Sequence, residues 1–306
     1  MKFKTISKFA LIIGAIMLVS LACSLTAPKP TPEPATAIPT DTATPEPPTP
    51  TAEPPTPVPP TAEPTIAEAT VAASATSEPA TTVEFAWFSM GLPSGVADGG
   101  QSVVVAKVPP SDDSAPWAVS PQHEEVKLTG YVLIETFHEA QINVYPVDDY
   151  ITLEPMIEAR EATLQQIIQG RSTNPGNVPI LPLWNAGQVF LAKPAYQEFQ
   201  GGSGIRYLTQ YGQALMPINN HDLFYSFQGL TSDGKYWISA ILPVHHPDLQ
   251  ATYDNPMPPD ITAFTDNYEQ YAAQIRMDLD AQPDDSFSPS LADLDAMMRS
   301  IVITHE

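Results

Sequence analysis

The sequence predicts an α+β fold: a mainly antiparallel sheet with one to three amphipathic helices packed on it, preceded by a disordered Pro/Thr-rich stalk. Three observations point there. Residues 223–244 form two β-rich runs around Ser232-Asp233-Gly234-Lys235, and Asp-Gly suits the positive φ angles of a type I′ hairpin turn. Residues 152–170 place Met156, Ile157, Leu164, Ile167 and Ile168 along one helical face, leaving the other for water. Residues 28–79 hold 16 of the 35 prolines, which fix φ and remove N–H donors, so neither helix nor sheet propagates.

In chain order, Lys2, Lys4 and Lys8 make a basic start, and residues 9–19 an apolar run too short to remain as a membrane span. Residues 1–22 therefore read as a signal peptide that is removed on export. The segment Val19-Ser20-Leu21-Ala22-Cys23 carries the chain's single cysteine directly after a small residue. It resembles the lipobox of bacterial lipoproteins. The resemblance implies that the Cys23 thiol is diacylated, that Cys23 becomes the first residue of the mature chain, and that the protein is extracytoplasmic, held to a membrane through its lipid. Residues 23–82 read as the tether, with near-repeats at Thr31-Pro-Glu-Pro34, Thr44-Pro-Glu-Pro47, Thr51-Ala-Glu-Pro54 and Thr61-Ala-Glu-Pro64. In polyproline II geometry, about 55 such residues reach on the order of 170 Å. An export signal followed by such a stalk is similar to many bacterial lipoproteins of unassigned function with Thr/Pro-rich tethers.

Composition changes near residue 83, where Phe85, Trp87, Phe88 and Met90 arrive together, and residues 83–306 read as one globular domain. Residues 102–108 read as a β-branched strand stopped by Pro109-Pro110. Residues 125–135 alternate, and residues 141–147 follow as a second extended run. In the helix after them Thr152 caps the start, Pro155 falls in the first turn and Gly170 ends it. A Pro/Gly connection, residues 174–183, leads to strands at 188–199 and 204–211, split by Gly201-Gly202. In the hairpin's return arm Tyr236, Trp237, Ile238, Ala240, Ile241 and Leu242 are apolar on both faces, which predicts a central strand covered on both sides. Phe264, Tyr268, Tyr271, Ile275 and Leu279 space a second helix, Ser290-Leu-Ala-Asp293 opens a third, and residues 301–304 return as a last strand. A closing Leu-Asp-Ala-Met-Met-Arg-Ser helix after antiparallel strands resembles the PsbP/Mog1-like fold.

Residues 85–306 carry 9 Lys/Arg against 27 Asp/Glu, so the folded part itself is acidic. Such a surface repels phosphate backbones and anionic lipid, and excludes nucleic acid as a partner. With its one thiol committed to lipid, the mature domain has no disulfide, cysteine zinc site or cysteine nucleophile. Ser203 in Gly201-Gly202-Ser203-Gly204 is no nucleophile elbow, since Ile205 stands where glycine is needed. The six histidines show no metal spacing, and Asp278, Asp280, Asp284 and Asp285 fail an EF-hand because Pro283 and Pro289 occupy its key positions. No catalytic residue, metal ligand or cofactor is assigned; calcium stays a partner without a motif. Polar residues inside apolar strands remain. Arg206 and Gln210 share one strand face with Leu208, Gln228 lies in the hairpin's first arm, and His221 belongs to a polar loop that nears them if the two strands pair directly. These four are the candidate ligand-binding residues, for an unidentified protein, glycan or small molecule. The reading is a non-catalytic, lipid-anchored binding or envelope-accessory protein, with an extracytoplasmic hydrolase or a structural adhesin as alternatives.

Overall fold

A computed structural model describes residues 81–305; the expected signal peptide, Cys23 and the expected tether as far as residue 80 lie outside the described residues. The first strands are β1 (Thr81–Glu84) and β2 (Phe88–Leu92), followed by β3 (Gly99–Val105), β4 (His123–Thr129) and β5 (Gln141–Pro146). Helices α1 (Val147–Leu153) and α2 (Met156–Gly170) lead to β6 (Gly187–Phe199), β7 (Gly202–Gly212), β8 (Phe224–Thr231) and β9 (Tyr236–Pro243). The chain closes with α3 (Ile261–Asp266), α4 (Tyr268–Asp280), α5 (Leu291–Arg299) and β10 (Val302–Ile303). Seven strands form one sheet in the order β3-β4-β5-β9-β8-β7-β6, every neighbouring pair antiparallel. Two meanders build it: β3 to β5 from one edge, then β6 to β9 from the other, meeting where β9 pairs with β5. A second, three-stranded sheet of order β1-β2-β10 was not foreseen from sequence. The α+β class and its antiparallel sheet stand as expected.

Alternation along the strands sorts side chains to two faces. Val126, Ile142, Leu208, Tyr225, Phe227, Ile238 and Ala240 point to one, where Phe88 and Met90 of β2 and Leu291, Leu294, Met297 and Met298 of α5 pack. Tyr145, Ile205, Tyr207, Leu230 and Trp237 point to the other, against Tyr150 of α1 and Ile157, Leu164 and Ile168 of α2. Fully burying each such Leu, Ile or Phe contributes roughly 1.5–3 kcal/mol. Every residue of β9 is buried, and it lies between β5 and β8, as its two-sided apolar pattern predicts. Buried Glu124 ties the small sheet to the large one: its carboxylate accepts the Ala86 and Trp87 N–H groups, each at 2.7 Å, and the Ser102 hydroxyl.

Several boundaries differ from the sequence reading, each for a local reason. The helix expected over 152–170 is two helices, because Pro155 donates no N–H and sits at the N-cap of α2. Thr152 falls inside α1, where its hydroxyl bonds back to Asp148 O (2.9 Å) rather than capping. Gly170 remains the last residue of α2, and Arg171 takes the left-handed conformation (φ 46°) that closes it. The next helix is also split, at Asn267. The strand expected to reach residue 135 stops at Thr129 because Gly130 turns the chain at φ 63°. Residues 130–140 then loop outward and leave Val132, Ile134 and Phe137 exposed. In the β8–β9 hairpin Gly234 alone takes positive φ (73°), so the turn is not type I′.

Candidate functional site

β7 and β8 pair directly, with Thr209 opposite Phe224. The 213–223 connection therefore folds back over the end of β7 and meets Gln210. Gln210 Oε1 accepts from the Asn219 backbone N–H (3.2 Å) and Nδ2 (3.4 Å). Asn219 in turn donates Nδ2 to Asp222 Oδ2 (2.9 Å) and accepts the Asp222 N–H at Oδ1 (3.1 Å). The other Asp222 oxygen meets His221 Nδ1 at 2.6 Å. Asp222 is thus an oriented carboxylate, with 18% of its side chain exposed. The Phe137 N–H bonds His221 O (2.8 Å) and docks the 130–140 loop against this turn.

Beside that bond, aromatic rings from four segments lie together. The His138 ring stacks on Trp184 (centroids 4.9 Å, 16°) and meets Phe224 and Phe137 edge-on at 4.6 and 4.8 Å. Trp184 meets Tyr211 edge-on at 5.1 Å. Phe137, His138, Trp184, Gln210, Tyr211 and Asp222 line an open cleft of about 640 Å³. This volume suits a small organic ligand, and apolar walls with few convergent polar groups are the usual makeup of such sites. Burial pushes the His138 imidazole down to about 4, against the opposing pull of Asp222, so the ring is neutral at pH 7. Burial likewise raises the Tyr211 phenol, which stays protonated.

Of the residues singled out from sequence, Gln210 lines the cleft and His221 sits at its edge, holding Asp222. Arg206 and Gln228 lie elsewhere. Arg206 shares Gln210's strand face but is four residues away, about 13 Å along an extended strand. It is buried beneath α5, where its guanidinium donates to Lys193 O (3.0 Å) and Asp284 Oδ2 (2.9 Å) and lies 3.3 Å from Asp295 Oδ1. Gln228 points to the opposite face and is fully satisfied there. Its amide donates to Ser226 and Ser239 Oγ (3.1 and 2.9 Å), while its oxygen accepts the Trp237 indole N–H (2.8 Å) and the Leu181 N–H (3.2 Å). Asp280 accepts the Lys193 N–H and Asp284 pairs with Lys193 and Arg206, so the acidic 278–285 run serves packing. Among the described residues no three His, Cys, Asp or Glu side chains are placed to share a metal ion.

Phe137, His138, Trp184 and Tyr211 were not singled out from sequence. A large ring in a Pro-punctuated connection, as Trp184 is, needs a partner to cover it, and that was the available signal. No family model, no curated protein and no solved structure matches the chain.

Proposed function

We propose that this chain is a lipid-anchored, extracytoplasmic binding protein whose ligand site is the aromatic cleft. One observation carries the reading: four rings from the 137–138, 184 and 211 positions converge on a cleft that also holds one oriented carboxylate, Asp222. The anchor and tether are carried by the lipobox-like segment and the proline-rich stretch. Replacing Cys23 by Ser is expected to abolish fatty-acid labelling and move the chain from the membrane to the soluble fraction; retention of label or of membrane association would sink the anchor. For the site, a thermal-shift screen of the full chain against glycans, amines, amino acids and aromatic amphiphiles should return ligands, because selective binding to the folded state raises its melting temperature. Those shifts should vanish in Trp184→Leu and Phe137→Ala, and shifts that survive both would discard the cleft.

A second reading has one supporting observation, the 2.6 Å contact of His221 Nδ1 with Asp222, the arrangement of a base with its orienting carboxylate. It makes the protein a hydrolase. Turnover of ester or glycoside substrates lost in His221→Gln would favour it, and unchanged background rates would remove it.

A further inference from the structure

We infer that the ligand of this cleft is an organic cation, an ammonium or methylated ammonium carried on a small apolar body. The inference rests on the cleft being the binding site and concerns the charge of what enters it. Among the described residues that line the cleft Asp222 is the one acid, and none is Lys or Arg. Its carboxylate is hydrogen-bonded by neutral Asn219 and contacted by His221, and among the described residues it pairs with no Lys or Arg. A negative charge therefore faces the cleft with no Lys or Arg against it among the described residues, the titratable His221 being its nearest neighbour at 2.6 Å. The same cleft is lined by the π systems of Phe137, Trp184 and Tyr211, with His138 held neutral by burial. Aromatic faces attract a cation through their quadrupole, and rings grouped about a carboxylate are the arrangement that recognises quaternary and methylated ammonium groups.

The surroundings agree with this charge. Arg160, whose field reaches the Tyr211 hydroxyl, donates to Ile180 O (3.2 Å) and is not among the lining residues. With 9 Lys/Arg against 27 Asp/Glu in residues 85–306, the domain's field draws cations in and turns anions away. At about 640 Å³ the cleft exceeds what a bare ammonium fills, and Ala186, Ala214 and Met216 supply apolar wall for a carbon body.

The test is calorimetric titration of the full chain with choline and with 3,3-dimethylbutan-1-ol, its uncharged carbon isostere, alongside a neutral oligosaccharide. Choline is expected to bind about tenfold or more tightly than the isostere, and less tightly as salt is raised. Asp222→Asn, which keeps an acceptor oxygen but removes the charge, should weaken choline binding by about tenfold. Phe137→Ala removes a side chain that is 66% exposed, so it should fold normally and still weaken binding severalfold. Equal affinity for choline and isostere would overturn the inference. Oligosaccharide or isostere bound in a Phe137-dependent manner, with no response to choline, would overturn it while leaving the cleft as the site. If no probe binds in a manner sensitive to Phe137 or Trp184, the inference and the cleft reading fall together.

Discussion

Gln228 and Gln210 are both buried strand glutamines, yet they have opposite fates. All the bonding capacity of Gln228 is used inside the layer between the sheet and the 178–183 segment. Gln228→Leu should therefore strand the Trp237 indole N–H and the Leu181 amide, lowering unfolding free energy by about 2–4 kcal/mol. Urea denaturation would measure the loss, with ligand affinity unchanged in the folded fraction; a neutral effect would show that the bonds are replaced by water. Gln210 instead orders the 217–222 turn, so Gln210→Leu should weaken binding more than stability. From sequence these two residues, with Arg206, were indistinguishable, because strand period reveals which face a residue takes but not what covers that face. That the 219–222 turn comes near Gln210 was legible, since it depended only on β7 pairing with the next strand, β8.

The Arg206 network belongs to the element scale, because it fixes α5 on the sheet. Asp295 accepts from Tyr225 OH and Gln197 Nε2, each at 2.9 Å, and Arg299 donates to Gln197 Oε1 at 2.8 Å. Burial raises the Asp295 carboxyl against the lowering pull of Arg206. Asp295→Ala should cost about 3–5 kcal/mol by leaving Arg206 buried beside a lost partner. The double variant Arg206→Met with Asp295→Leu should cost less than the sum of its singles, as a double-mutant cycle in urea would read; simple additivity would deny the coupling. Elements with strong periodicity, such as α2, β8 and β9, were legible because burial repeats along a few neighbouring residues. Their ends were not. Thr152 looked like a cap, but it falls inside α1, which starts at Val147, and Pro155 three residues on breaks the helix and sets where α2 begins.

At the scale of the whole molecule, His123, His138, His245 and His246 all have imidazoles lowered by burial. The unfolded chain, with histidines near 6.5, takes up protons before the native state does, so the stability they hold is present above pH 6.5 and lost as pH falls through their lowered values, for His138 about 4. Asp295, raised by burial, has the opposite sign and acts nearer its ordinary 3.8. The melting temperature should drop between pH 7 and pH 5, and His138→Phe should flatten that slope; a melting temperature constant over this interval would contradict these burial effects. The β6–β7 and β8–β9 hairpins were within reach of sequence, since consecutive strands with short connections pair antiparallel, whereas the β5–β9 pairing that joins the two meanders was not. The cleft was not, because its rings come from residues 137–138, 184 and 211, which no local pattern relates. Whether that convergence is the binding site is decided most directly by side-chain NMR during ligand titration. The expected result is that the Trp184 indole and His138 ring resonances shift together and saturate at one ligand affinity. Shifts confined to Trp117 and the β3 edge, with Trp184 and His138 unmoved, would contradict it.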